Sequence, residues 1–241
     1  MRSGAYTVVF VSAIAIVCSL LLSTAATLLR DRQDQNEALS KKENILKALG
    51  VQEKMDGPAI NIFFADHVEL FAIDLEGNID AEVDAAQLDV EVEDRKTEAS
   101  SRRYPIYRCT IENEVAYCVP IIGRGLWSKL YGYLSLESDL NTVKGITFYK
   151  HGETPGLGAE IEKDWFQNNF LGKKINDQTG TFVSIEVVKG KAADAYSGNE
   201  EKLSHAVDGI SGATITSRGV TKMLDEDLTK YVPYFKQLEA N

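Results

Sequence analysis

Residues 5–29 contain no charged side chain, and within them the runs Thr7-Val8-Val9-Phe10-Val11 and Leu20-Leu21-Leu22 are strongly apolar. A helix of about 20 apolar residues crosses a hydrocarbon core about 30 Å thick, so this stretch is long enough to span a membrane. A cleavable signal peptide is the alternative, because Ser23-Thr24-Ala25-Ala26 offers small residues near a cleavage point. Signal-peptide apolar regions are shorter, about 7–15 residues. The length therefore favours an uncleaved single span over residues 5–29, with residues 1–32 as the anchor. No charged group sits inside the span, so nothing in it resembles an ion path. Arg2 precedes it, and Arg30, Asp31 and Arg32 follow it, with Lys41 and Lys42 further on. A positive-inside count places the C-terminal body in the cytoplasm.

The body behind the span is large enough for one good-sized core or two small ones, given 241 residues of which 44% are hydrophobic. A net charge of −10 argues against nucleic acid as a partner, which calls for a basic surface. It is also a poor match for an anionic membrane surface. Residues 36–49 carry Leu39, Ile45, Leu46 and Leu49 on one side and predict a connecting helix that stops at Gly50. Ile60-Asn61-Ile62-Phe63 and Leu70-Phe71-Ala72-Ile73-Asp74 read as short strands, the second followed by a turn at Glu76-Gly77-Asn78. Residues 89–103 are charged and lack apolar periodicity, which predicts an exposed loop. Beyond them, residues 104–122, 130–136 and 145–149 read as strands, Trp165-Phe166 opens a short helical piece, and residues 182–188 form the clearest strand. The fold class is α+β: one N-terminal transmembrane helix followed by a mixed, strand-rich domain.

Cys18 lies inside the span as a packing residue. Cys109 and Cys118 flank Ile111-Glu112-Asn113-Glu114-Val115, which reads as strand, turn, strand. With Asn113-Glu114 as a two-residue loop, Cys109 falls opposite Cys118, where a disulfide can form and would suit an extracytoplasmic compartment. Two buried thiols are the alternative, and without the glycine of the favoured hairpin turns the register can slip. With three histidines, no ligand spacing among them and no Cys-x-x-Cys pair, no metal site is expected. No Gly-x-Gly-x-x-Gly follows a strand, so a nicotinamide site is not expected either.

The chemistry concentrates in two segments. The first is Asp208-Gly209-Ile210-Ser211-Gly212-Ala213-Thr214-Ile215-Thr216-Ser217, followed by Val220, Met223, Leu224, Leu228, Tyr231 and Phe235 at helical spacing. Hydroxyls before such a run ordinarily cap the helix. The same helix start, with its free N–H donors and partial positive charge, also welcomes a phosphate, and Gly212 and Ala213 leave room for a bulky group beside Thr214. The second is His151-Gly152-Glu153-Thr154-Pro155-Gly156-Leu157-Gly158, whose glycines and proline force sharp turns after a strand. Glu153, Thr154 and Leu157 are its candidate cofactor contacts, with turn-shaping as their alternative role. A glycine-bracketed Gly123-Arg124-Gly125-Leu126-Trp127 presents an arginine and an indole to a cofactor, a partner or the core.

Asp-x-x-Ser-Gly-Ala-Thr, here ending at Thr214, looks like the flavinylation motif of bacterial redox-pump subunits, in which FMN is joined to the last threonine by a phosphoester bond. Together with the Gly-Arg-Gly-Leu-Trp and Glu-Thr-Pro-Gly-Leu-Gly segments behind one span, it makes the whole chain similar to the C-subunit family of sodium-translocating NADH:quinone oxidoreductases. The motif and the second segment are shared with the G subunit of Rnf electron-transport complexes.

The resemblance implies a single-span subunit of the bacterial inner membrane, with residues 104–241 as an FMN-binding domain on the periplasmic side, opposite to the charge count. Residues 33–103 would then be the connecting helix and the N-terminal part of the soluble domain. It implies FMN esterified to Thr214, with Ser211, Gly212, Ala213 and Thr216 around it, and electrons relayed among other redox subunits between NADH and quinone. It also implies a flavin transferase that attaches the cofactor, for which Asp208 and Ser211 are handles. The chain alone holds no complete active site and no catalytic residue. The alternatives are the equivalent Rnf subunit and a membrane-tethered assembly module without redox function.

Overall fold

A computed structural model describes residues 4–51, 53 and 55–240. The chain divides into two units, residues 1–41 and 42–241. The first is most of helix α1 (Gly4–Ala48), a single helix of 45 residues, about 68 Å long at 1.5 Å per residue. Its apolar side chains, including Val8, Val9, Leu20, Leu21 and Leu22, are exposed all round, as a helix that is solvated by lipid requires. Two of its hydroxyls bond back to the helix: Thr24 donates to the Leu20 carbonyl at 2.8 Å and Thr27 to that of Ser23 at 2.9 Å. The span and the connecting helix are thus continuous, because no glycine or proline separates them.

In the second unit, the last turn of α1 buries Ile45, Leu46 and Ala48 and ends at Gly50. There Val51 N–H returns to the Leu46 carbonyl and Gly50 N–H to that of Lys47, a Schellman closure. Helix α2 (Gly57–His67) follows, where the sequence predicted a strand over Ile60-Asn61-Ile62-Phe63. Asp56 caps it by accepting the Ala59 N–H at 2.9 Å, and Pro58 occupies its first turn. A short apolar run does not by itself distinguish helix from strand. The cap and proline decide it.

Strands β1 (Val68–Ile73), β2 (Ile79–Asp80), β3 (Tyr104–Ile111), β4 (Glu114–Arg124), β5 (Lys129–Leu136) and β6 (Val143–Lys150) form one antiparallel sheet in the order β2-β1-β3-β4-β5-β6. The segment expected to be a solvated loop contains helix α3 (Val90–Arg95). Glu93 is buried there, accepting from Lys96 Nζ at 2.6 Å and from Arg103 N–H at 2.8 Å, and Asp94 takes the Tyr104 hydroxyl and Lys230 Nζ, each at 2.8 Å. Polar composition concealed an ordered connection: Glu93 pairs within the segment, while Asp94 meets Lys230 and Glu91 meets Lys129 and Tyr131 across the fold.

The β3–β4 hairpin turns at Glu112 and Asn113, both with positive φ (49° and 71°), rather than at Asn113-Glu114. Ile111 therefore pairs with Glu114, Cys109 with Ala116 and Cys118 with Tyr107. Both thiols are free and buried. The expected Cys109–Cys118 pairing is corrected by this register: the two are diagonal neighbours, not opposite residues.

After β6 come α4 (Asp164–Gln167), β7 (Glu186–Val187), α5 (Ala192–Ala195), α6 (Glu200–Ser204) and β8 (Ala206–Val207), with β7 and β8 paired in parallel. The run 182–188, expected to be the clearest strand, contributes only β7. Ser184 adopts φ +62° and both Val183 and Ser184 donate to the Ile175 carbonyl, which bends the chain out of the extended path. Helices α7 (Thr214–Leu228) and α8 (Val232–Glu239) close the fold. Val220, Met223, Leu224 and Leu228 of α7 join Val119, Ile121, Leu130 and Leu134 in the main core. Helix α7 lies close on β4: a Cβ at Gly219 would stand 2.2 Å from the Arg124 carbonyl oxygen, so only glycine permits the approach. At the other end of the crossing Asp227 accepts the Ile122 N–H and, at 2.6 Å, Lys230 Nζ. These contacts set the first turn of α7 beside the β4–β5 loop.

Candidate cofactor site

Three chain segments meet at the start of α7: the β4–β5 loop, the loop that follows β6, and residues 208–213. Their junction is Glu153. Its carboxylate is buried and accepts the N–H groups of Leu126 (3.2 Å), Trp127 (2.9 Å) and Ser128 (3.2 Å), together with the Thr216 hydroxyl at 2.6 Å. Burial alone would raise its pKa, but the Thr216 and backbone hydrogen bonds outweigh it and hold the carboxyl below the ordinary glutamate value. Ser128 Oγ further accepts the Gly152 N–H at 2.5 Å. Glu153 thus pins a loop, and through that loop it lifts Trp127 into solvent at 71% exposure.

The hydroxyls expected as caps do not cap. Ala213 is the N-cap residue of α7, and among the described residues no side-chain cap hydrogen bond closes that end. Thr216 is buried and committed to Glu153, and Ser217 Oγ accepts the Ile210 N–H at 3.4 Å. The first-turn N–H groups and the positive end of the helix dipole are left for another acceptor. Gly212, at φ +75°, turns the chain into the helix, and a Cβ there would meet Leu157 Cδ2 at 2.8 Å.

Beside this turn runs a groove of about 900 Å³, within the range of small-molecule and cofactor sites. Asp208, Ser211, Gly212, Thr214, Ser217 and Arg218 form one wall, residues 186–191 another, and Gly156, Glu160 and Trp165 a third. The groove's carboxylates are already engaged: Glu160 accepts from Trp165 Nε1, Glu186 from the Tyr196 hydroxyl and Asp208 from the Ala192 N–H. Lys189, Lys191 and Arg218 line it with no ion pair among the described residues. Arg218 follows Thr214 by one helical turn, so both lie on one face. An anionic group tethered at Thr214 would find the helix-start donors, Lys189, Lys191 and Arg218 there, alongside the carboxylates of Glu160, Glu186 and Asp208.

The sequence matches the model of the FMN-binding domain over residues 125–229, a range that takes in all three converging segments. Over 235 residues it is 38% identical to the C subunit of the Na(+)-translocating NADH-quinone reductase of Vibrio anguillarum, covering 91% of this chain and 88% of that protein. The Yersinia pestis protein of the same name is 35% identical over 232 residues, covering 89% and 84%. The crystal structure of the corresponding C subunit from Parabacteroides distasonis superposes with a TM-score of 0.73 at 37% identity, covering 86% of this chain and 96% of that one. Shewanella oneidensis NqrC gives 0.69 at 27% identity, covering 87% and 100%. The chain belongs to the family of NADH-quinone reductase C subunits. As a member it is a subunit of a membrane-associated oxidoreductase complex and carries an FMN-binding domain.

The sequence-predicted residues of this family member divide between two places. Thr214, Ser211, Gly212 and Asp208 line the groove, and Ala213 is buried at its edge. Thr216 and Glu153 face each other inside the protein. Thr154 shapes the turn, its carbonyl accepting the N–H groups of Leu157 and Ala159 at 3.1 Å each, and Leu157 packs over Gly212. Cys109 and Cys118 belong to β3 and β4, outside the groove walls. Sequence reasoning missed Glu160, Trp165, residues 186–191 and Arg218. Only Arg218 carried a local signal, its helical spacing from Thr214.

Proposed function

We propose that the chain is a covalent-FMN electron carrier, with the cofactor held as a phosphoester on Thr214, in a respiratory complex that couples NADH oxidation by quinone to sodium translocation. The observation that supports it is the contrast between the motif's threonine and its neighbour Thr216. Thr214 opens into the groove, whereas Thr216 is sealed against Glu153.

When bound, FMN supplies the electron transfer, and the protein supplies position and electrostatics. The uncapped N–H groups of α7 and the Arg218 guanidinium would hold the phosphodiester. Gly212 and Ala213 keep side chains away from it, and Lys189 and Lys191 add positive potential along the groove. In this reading residues 1–32 anchor the chain in the inner membrane, and residues 104–241 present the flavin on the periplasmic side. A separate flavin transferase makes the ester, using Asp208 and Ser211 for recognition.

The test is co-expression with the flavin transferase, followed by a denaturing gel read for flavin fluorescence. A fluorescent band whose modified peptide maps to Thr214 is expected. A dark band would leave a membrane-tethered assembly module as the surviving reading.

A further inference from the structure

The groove that contains Thr214 is also lined by an aromatic side chain that belongs to none of the sequence motifs. Helix α4 turns Phe166 and Gln167 inward, and Phe170 beyond it is fully buried, yet Trp165 is 48% exposed. It is nevertheless held in place: Nε1–H donates to Glu160 Oε2 at 2.8 Å, and the indole stands edge-to-face on Phe166 at 5.7 Å and 78°. Trp165 and Glu160 both line the groove that contains Thr214. The other exposed indole, Trp127, does not. An exposed tryptophan restrained by a hydrogen bond and a ring contact is pre-organised, so an incoming ring loses little side-chain freedom on docking.

We infer that Trp165 is the surface against which the flavin ring system stacks, with Glu160 as the residue that positions the indole. The inference rests on attachment at Thr214. The phosphate end is fixed by the ester, Arg218 and the helix start. The ring end must then lie along the groove, whose lining also offers Val187, Val188 and Ile210 beside glycines, lysines and carboxylates, and Trp165 is the aromatic residue among them. Offset stacking of two aromatic systems contributes about 0.5–1.5 kcal/mol beyond area burial. That is weak for a free ligand but sufficient for one whose tether makes the contact intramolecular. No new bond is involved, only contact.

The test uses the full-length protein loaded with FMN by its transferase, compared with Trp165→Leu, Trp165→Phe and Glu160→Ala at matched flavin content. An indole in contact quenches flavin emission by donating an electron to the excited ring. Trp165→Leu should therefore raise emission yield and lifetime severalfold, and Glu160→Ala should raise them less. Trp165→Phe keeps an aromatic wall, so its ring absorption should stay close to wild type while emission rises. Unchanged emission in both Trp165→Leu and Trp165→Phe, with FMN still mapped to Thr214, would overturn the stacking and leave the attachment intact. Wild-type protein without FMN on Thr214 would overturn both, and the denaturing gel separates the two failures.

Discussion

The two sides of the first turn of α7 are built on opposite plans. On the Glu153 side, one buried carboxylate accepts four hydrogen bonds and the Thr216 hydroxyl is sealed in. On the Thr214 side, the helix end is uncapped, the nearby cations lack ion pairs among the described residues, and the groove stays open. A side with every polar group paired gives rigidity and resists substitution. A side with unpaired donors contributes little to folding and keeps its capacity for a ligand. Two threonines separated by one residue therefore differ in what they can do.

The strongest test exchanges the threonines. Thr214→Val should abolish covalent flavin on a denaturing gel, whereas Thr216→Val should keep it, with the modified peptide still at Thr214. Flavin lost equally from both would break the contrast between the two sides.

Stability should divide the other way. Glu153→Ala leaves three backbone N–H groups and a hydroxyl without their acceptor and should cost on the order of 3 kcal/mol, read from denaturant midpoints. Arg218→Ala, on the open side, should change stability by less than about 0.5 kcal/mol yet lower flavin loading by the transferase. A loss of stability at Arg218 to match that at Glu153 would show the groove side to be part of the fold's support.

A smaller effect follows from protonation. Because the folded carboxyl of Glu153 titrates below its ordinary value of 4.5, its contribution is complete above that value and is lost as pH falls through the lowered folded value. Wild type should thus lose more stability than Glu153→Gln between about pH 5 and acid conditions. Parallel acid limbs would mean that the carboxylate is not the clamp's charged form. The least effect is expected at the cysteines, which lie on neither side. In a Cys18→Ala background, Cys109 and Cys118, whose thiols burial pushes up, should resist alkylation until the protein is denatured. Non-reducing and reducing gels should show the same mobility.

Much of the architecture is legible locally. The apolar run forms a helix long and apolar enough to cross a membrane, and alternation over 130–136 and 145–149 marks strands that the sheet contains. The misreadings have separate causes. At Ile60-Asn61-Ile62-Phe63 a cap and a proline outweighed a β-like composition. At Ser184 one positive φ ended a strand that its residue types favour. At Glu112-Asn113 the turn residues, not the cysteines, set the register. Residues 89–103 look solvated because Asp94 and Glu91 meet Lys230, Lys129 and Tyr131, partners that the local sequence does not show. Within the site, the motif placed Thr214 at a helix start, but nothing local linked Trp165 to it.

By itself, then, the sequence determined the long apolar helix, the helix behind the motif and the small residues that make room beside Thr214, since each depends on chain composition within a few turns. The tertiary structure decided which hydroxyl is open and which is sealed. That choice rests on the bond between Thr216 and a carboxylate 63 residues away, and on the approach of α7 to β4 through Gly219. Contacts of that range are set by how the sheet and helix pack, and no local pattern of residues encodes them.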